Sequence, residues 1–458
     1  MKRNQQDLTQ GPLLSGIITY TVPIILTSIL QLLFNAADLV MVGRFRGSLA
    51  VGAVGATGSL TNLIVNLFLG LSVGAGVCVA HAIGAKQEKQ IHRIIHTALF
   101  VALAGGAVLS IVGVSCAHTL LQLMDTPAEL LPLATQYMQI YFCGMVFTMT
   151  YNFCAAILRA AGDTRSPLIY LTIAGVLNVV LNLIFVVVCG MSVDGVALAT
   201  ILSQAVSAAL VVRTLMRRTD SCHLIPRQIR PYKAQLLRIL RIGLPAGIQG
   251  CLFSISNVII QSSVNSFGEF AVAGSAAASN LGGFSDTILS SFSQTATNYT
   301  SQNFGAGQPQ RVRRIFKTCC LCTIAVGIVT GSCLYLGRNV LLRIYITDSP
   351  EAMYYGVLRL TYMHVPIFLG GLMNVATGSL RGLGSSLAPM LMSVLGVCGF
   401  RLGWIYTIFQ DPRFHSMESL LISYPISWTL TFLVETVAFV ILYRRWVRNL
   451  QAAPANPL

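Results

Sequence analysis

Charge is what this sequence has least of. Only 10% of its 458 residues are Asp, Glu, Lys or Arg, against about 25% in an ordinary soluble domain. Such a chain cannot cover a water-facing surface, which excludes a soluble globular enzyme. Acidic residues are scarcer still, 15 against 30 basic, leaving a net charge of +15. That surplus does not mark a nucleic-acid binder, because the Lys and Arg residues fall in short segments between apolar runs and not on one polar face. The cysteines, twelve in number, lack a metal-ligand pattern: Cys319, Cys320 and Cys322 lie inside an apolar run with no matching Cys/His pair, so packing is their expected role. No small-residue cleavage pattern follows the polar start, so the first apolar segment is expected to stay in the protein.

What the sequence has instead is apolar length. Hydrophobic residues make up 54% and the mean hydropathy is +0.71. Runs bounded by Gly, Pro or charge give twelve candidate spans, about 14–43, 49–82, 92–114, 129–157, 167–189, 193–216, 236–265, 271–302, 313–336, 352–378, 386–409 and 417–443. Each suits a bilayer core about 30 Å thick, which needs roughly 20 apolar residues as a helix. An all-α polytopic membrane protein follows, with the lipid bilayer as its partner. Alternate connecting segments carry most of the basic residues, from Lys2 and Arg3 through Lys86, Lys89 and Arg93 to Arg444, Arg445 and Arg448. By the positive-inside rule both termini are cytoplasmic and the chain is multi-pass in the cell membrane.

The two halves are alike when slid by about 222 residues. LRAAGDTRSP at 158–167 falls on LRGLGSSLAP at 380–389, AIGAKQEKQIHRI at 82–94 on NFGAGQPQRVRRI at 303–315, Pro23 on Pro245, and Asn35 on Asn257. Six spans per half put both copies in the bilayer the same way up, a parallel repeat. The expected domains are residues 1–218, a basic cytoplasmic linker 219–235, and residues 236–458.

The repeat separates polar residues the fold uses twice from those it uses once. In the first span, Gln31, Asn35 and Asp38 follow at spacings of four and three, one stripe on an oily helix, and Pro23 lacks the N–H its helix needs, which predicts a kink. A carboxylate at membrane depth costs roughly 2.5 kcal/mol or more and is normally functional. Asp38 has no counterpart in the second half. Asn178 and Asn182, four apart in the fifth span, fall on Phe400 and Trp404, so a polar site is expected in the first half only. Asp286, with Ser290, Ser293, Gln294 and Thr297 on much the same face, is expected to line a central cavity with Asn257, Gln261 and Arg401. Arg401 is expected to pair with Asp286, a carbonyl or water. Glu435 and His364 are placed as helix contacts, with proton relay as their other use, as are Met145, Met149, Phe147, Tyr151, Met363 and Met373, whose other use would be as soft cavity walls. The motif Gly70-Leu71-Ser72-Val73-Gly74 matches a nucleophile elbow in letters but lies within a span, where small residues four apart serve close helix packing. Asp163 is expected at a cytoplasmic turn or cap.

NAADLVMVGRF closing the first span, LRAAGDTRSP before the fifth, LNVVLNLIF within it, SQNFGAG after the eighth and SLRGLG after the tenth stand in order along the chain. Together they resemble the multidrug and toxic compound extrusion (MATE) transporters. The resemblance implies twelve helices in two six-helix lobes and a monomeric antiporter, not an enzyme. It implies export of a small organic, cationic compound in exchange for H⁺ or Na⁺, with no cofactor. It also carries a cation-coupling site onto Asp38, Asn178, Asn182 and Thr200, with Na⁺ placed at Asp38, Asn178 and Asn182. Uncharged Ser254 and Gly370 stand where some members carry second-lobe acids. The alternative is a lipid-linked oligosaccharide flippase of related architecture, which would need several basic residues in its cavity.

Overall fold

The computed structural model describes residues 6–347 and 349–452, so Lys2 and Arg3 lie outside the described residues. Regular structure among the described residues is helical throughout. The first half contains α1 (Leu13–Arg46), α2 (Ser48–Gly84), α3 (Glu88–Leu123), α4 (Leu131–Cys143), α5 (Met145–Ala160), α6 (Arg165–Asn182, prolonged by a π-helical turn over Leu183–Val188) and α7 (Val193–Met216). The second contains α8 (Lys233–Asn265), α9 (Glu269–Gly305), α10 (Pro309–Arg343), α11 (Pro350–Arg359, with a π turn over Leu360–His364) and α12 (Ile367–Gly382). It ends with α13 (Leu387–Ser393), joined through a π turn at Val394–Gly399 to α14 (Phe400–Tyr406), and with α15 (Met417–Ala452).

Nine of the described helices are long and apolar enough to cross a bilayer. Two more crossings are bent: α4 and α5 meet at 48° around Gly144, and the Pro350–His364 stretch meets α12 at 42° just before Ile367. Pro366 accounts for the second bend, having no N–H for the preceding turn. The remaining long helix, α9, runs for 37 residues but carries many Ser, Thr and Asn residues. α1 runs as one helix through Pro23, where a kink was expected, and the Thr27 hydroxyl donates to the Pro23 carbonyl at 2.7 Å.

The described residues form two compact units, residues 6–7 with 22–247, and residues 8–21 with 248–452. These units run across the boundaries expected at 218 and 236. Residues 8–21 belong with the second half because their hydrogen bonds are made there: Thr21 shares a 2.8 Å hydrogen bond with Thr295, the Asn303 amide donates to the Leu8 carbonyl at 3.0 Å, and Arg311 donates to the Gln10 carbonyl at 2.6 Å. Residues 233–247 of α8 belong with the first half through a crossing made of glycine. A Cβ on Gly70 would lie 2.1 Å from the Gly247 nitrogen, and one on Gly74 would lie 2.6 Å from that of Gly243. Only bare backbone permits that approach. The Gly70–Gly74 motif is thus a packing device inside α2. Each exchanged segment ends within two residues of a helix proline, Pro23 in α1 and Pro245 in α8.

The core of the first unit takes its side chains from α2, α3, α4, α5 and α7, with Met138, Phe142, Met145, Met149 and Tyr151 all at most 2% exposed. Met145, Met149 and Tyr151 are therefore packing residues, and the Tyr151 hydroxyl donates to the Pro167 carbonyl. Asp163 accepts from the Ser166 N–H at 3.0 Å and its hydroxyl at 2.6 Å, fixing the turn into α6.

Candidate functional site

Four residues far apart in sequence meet in the first unit. Asp38 comes from α1, Asn178 and Asn182 from one face of α6, and Thr200 from α7. The Asn182 amide nitrogen donates to Asp38 Oδ1 at 2.5 Å and to Asn178 Oδ1 at 3.2 Å. The Thr200 hydroxyl lies 3.2 Å from Asp38 Oδ2 and 3.0 Å from the Val196 carbonyl, so its one proton serves either acceptor, while Asn178 donates to Thr200 at 3.4 Å. Helical spacing explains the pair on α6: residues four apart point the same way, and both asparagines are at most 4% exposed.

This arrangement suits a carboxylate that changes state. An ionised Asp38 accepts only, and two donors face it. Asn182 Oδ1 is buried with no hydrogen-bond partner. A half turn of that amide would present an oxygen to Asp38, which is favourable only when a proton or metal cation sits there. The donor set, carboxylate, amide and hydroxyl oxygens, fits a hard cation such as Na⁺ as well as a proton. No cluster of three or more His, Cys, Asp or Glu occurs among the described residues.

Gln31 and Asn35 share the Asp38 stripe but are exposed and stay outside this network. Two aromatic residues not foreseen from the sequence lie within electrostatic range of Asp38: Tyr137 and Tyr141 of α4, their rings stacked with centroids 6.1 Å apart. Their i, i+4 spacing was visible, but nothing in the sequence said that α4 faces α1.

The second unit holds a cavity of about 520 Å³. Asp286, Asn257, Gln261 and Arg401 all line it, and Gln294 does not. Arg401 does not form the ion pair with Asp286 that was one of its expected partners. Its Nε donates to the Ser427 hydroxyl at 2.9 Å, and its guanidinium lies 3.8 Å from the Tyr424 ring centroid. The physical reason is local: Ser427 and Tyr424 are three apart on α15 and form a shelf for the planar group. Arg359, which lies at the end of α11 where the sequence shows only a basic residue inside an apolar run, lines the same cavity, with Met363 and Met373 among its apolar walls. Glu435 is fully buried elsewhere in the unit, accepting from Thr377 at 2.8 and 2.9 Å and from Ser393 at 2.6 Å.

The MatE family model matches residues 23–184 and again 245–407, the two copies beginning at Pro23 and Pro245. The chain belongs to the MatE family. A MatE protein is a membrane transporter and not an enzyme, and the paired match restates the internal repeat. Among relatives of this MatE chain, "Probable multidrug resistance protein YpnP" of Bacillus subtilis is 29% identical over 392 residues, covering 85% of this chain and 87% of the relative. "Probable multidrug resistance protein NorM" of Thermotoga maritima is 25% identical over 393 residues, 84% and 83% of the two chains. A solved structure titled as MATE in the bent conformation superposes with a TM-score of 0.89 at 20% identity, over 96% of this chain and 98% of that one, which establishes the fold. Nothing in these matches supports the flippase alternative.

Proposed function

We propose that this protein is a cation-coupled exporter of small organic compounds, with Asp38 as the residue that carries H⁺ or Na⁺. The observation that carries the reading is the closed set of oxygen and amide groups around Asp38, in a helix otherwise made for lipid. Neutralising the carboxylate removes the reason for Asn182 to aim its nitrogen at α1, so ion binding on α1 is felt by α6 and α7. The names of relatives such as YpnP and NorM support drug-like compounds as cargo. A gradient of one pH unit supplies about 1.4 kcal/mol per proton, and a potential of 100 mV about 2.3 kcal/mol per charge. Either is enough to bias a site built from a few hydrogen bonds. The basic segments favour cytoplasmic termini in the cell membrane, and a monomer suffices, since the whole Asp38 site lies in one chain.

The test is efflux of fluorescent dyes from proteoliposomes under an imposed proton or sodium gradient, with native protein and Asp38→Asn. Gradient-driven efflux by the native protein and only gradient-independent leak by the variant is the expected result. Equal coupled efflux by both would remove Asp38 from the mechanism.

A further inference from the structure

The cavity of the second unit has the wrong charge for a cationic cargo. Three side chains of the charged types line it, Asp286 of α9, Arg359 of α11 and Arg401 of α14, a balance of one positive charge. Both arginines act electrostatically on Asp286, yet neither approaches it as an ion pair. Arg401 is 4% exposed, held by Ser427 at Nε and by the ring faces of Tyr424 and Trp428, whose centroids are 3.8 and 5.6 Å away. Its Nη2 is buried without a hydrogen-bond partner, and so is Nε of Arg359.

A buried guanidinium with open donors costs free energy, and a fold keeps one where something completes it. The shelf fixes the plane of Arg401 and leaves Nη2 without a partner, and a planar guanidinium held this way takes a carboxylate, sulfonate or phosphate oxygen pair. Phe253, Ile260, Met363, Met373 and Trp428 supply apolar walls. The volume, about 520 Å³, lies in the range of sites for small organic ligands, roughly 300–1,000 Å³.

Resting on the export reading above, we propose that the cargo site is this cavity and that it selects amphipathic organic monoanions. The acidic group sits on Arg401 and Arg359, and the apolar body lies against the methionines and Trp428. One negative charge balances the cavity. A second acidic group on the same ligand would meet Asp286, and a lone cation would meet two guanidiniums.

The test is equilibrium binding to the purified full-length protein in detergent, with no gradient, so that a fault in ion coupling leaves it untouched. The probes are a fluorescent monocarboxylate dye, its methyl ester, and a cationic dye of similar size. Expected are tightest binding of the monocarboxylate and a loss of about tenfold or more in Arg401→Gln and in Arg359→Gln, as befits a charge-assisted hydrogen bond. Tighter monocarboxylate binding in Asp286→Asn is also expected. If Arg401→Gln fails to fold, Arg359→Gln and the ester comparison decide. Tighter binding of the cationic dye, or monocarboxylate binding indifferent to both arginine variants, overturns the assignment. So does displacement of the monocarboxylate by phosphatidylglycerol at lower concentration than by unlabelled dye, which would give the site to a lipid headgroup. Binding as expected without coupled efflux in proteoliposomes would count against the export reading and leave this one standing.

Discussion

The Asn182 amide nitrogen stands 2.5 Å from Asp38 Oδ1, joining α6 to α1 across 144 residues of sequence. A bond from a neutral donor to a carboxylate is stronger than one between neutral groups, and this one lasts only while Asp38 is ionised or the amide stays unturned. On the proposed mechanism, Asn182 senses the state of Asp38.

Asn182→Ala therefore separates binding of the ion from its consequence. Coupled dye efflux in proteoliposomes is expected to fall by about tenfold or more, the cost of one charge-assisted hydrogen bond, with normal expression and an unchanged melting profile. Asn178→Ala, whose side-chain bonds run to Thr200 at 3.4 Å and from Asn182 at 3.2 Å while its effect on Asp38 is the weakest of the three neighbours, is expected to lose less. Equal losses in the two variants would mean that the asparagines serve packing alone.

Much of this site was legible in the sequence, because the repeat supplied its own control: Asp38, Asn178 and Asn182 lack counterparts at Ile260, Phe400 and Trp404. The helices were legible because apolar length is a local signal. Which face of α4 meets α1, and so the place of Tyr137 and Tyr141, depends on packing between helices more than ninety residues apart, on which local pattern is silent. The exchange of half-helices at Pro23 and Pro245 was hidden for the same reason. A boundary drawn at the basic linker follows charge, whereas compactness follows the glycine crossing of α2 and α8. The shelf of Arg401 on α15 could not be read from α14.

Gly247→Ala tests that crossing. The added methyl would lie 2.2 Å from the Leu67 carbonyl oxygen, and backbone cannot swing aside as a side chain can. Overpacking of this kind costs about 1–3 kcal/mol, more than the better helix propensity of alanine returns. A lower melting temperature and reduced folded yield are expected, read by fluorescence-detected size exclusion after heating. Gly283→Ala, where a Cβ meets nothing within 4 Å, is the control and should be neutral or slightly stabilising.

Glu435 separates a structural acid from a working one. It is fully buried and is met by the hydroxyls of Thr377 and Ser393; the nearby Arg381 donates instead to Gln249 at 2.7 Å. With no exposed surface there is no path for a cation to enter and leave in each cycle. Glu435→Gln should lower the melting temperature, with a stability loss of about 1–3 kcal/mol for the unsatisfied groups, and leave efflux per folded molecule near native. Efflux abolished at native stability would assign Glu435 to proton movement.

The linker offers a pH test outside the bilayer. Arg218 holds Asp220 with Nε donating to Oδ1 at 2.9 Å and Oδ2 at 3.1 Å and Nη2 donating to Oδ2 at 2.5 Å, and the Cys222 N–H donates to Oδ1 at 3.0 Å. Partial burial pushes the Asp220 carboxyl upward, but the Arg218 hydrogen bonds and charge outweigh it, and its pKa lies below the ordinary value. A depressed carboxylate pKa stabilises the folded state at pH above the unfolded-state value, about 3.9, and that contribution fades as pH falls through the folded-state pKa. The Asp220 side chain is 38% exposed, so solvent screening limits the pair to about 0–1 kcal/mol. Asp220→Asn is therefore expected to melt slightly below native at pH 7 and in step with it once the medium is acidic enough to protonate the carboxyl. High salt at pH 7 should narrow the gap in the same direction. A gap that persists unchanged through the acid range would show that Asp220 acts through its shape and its bond to Cys222, and not through charge.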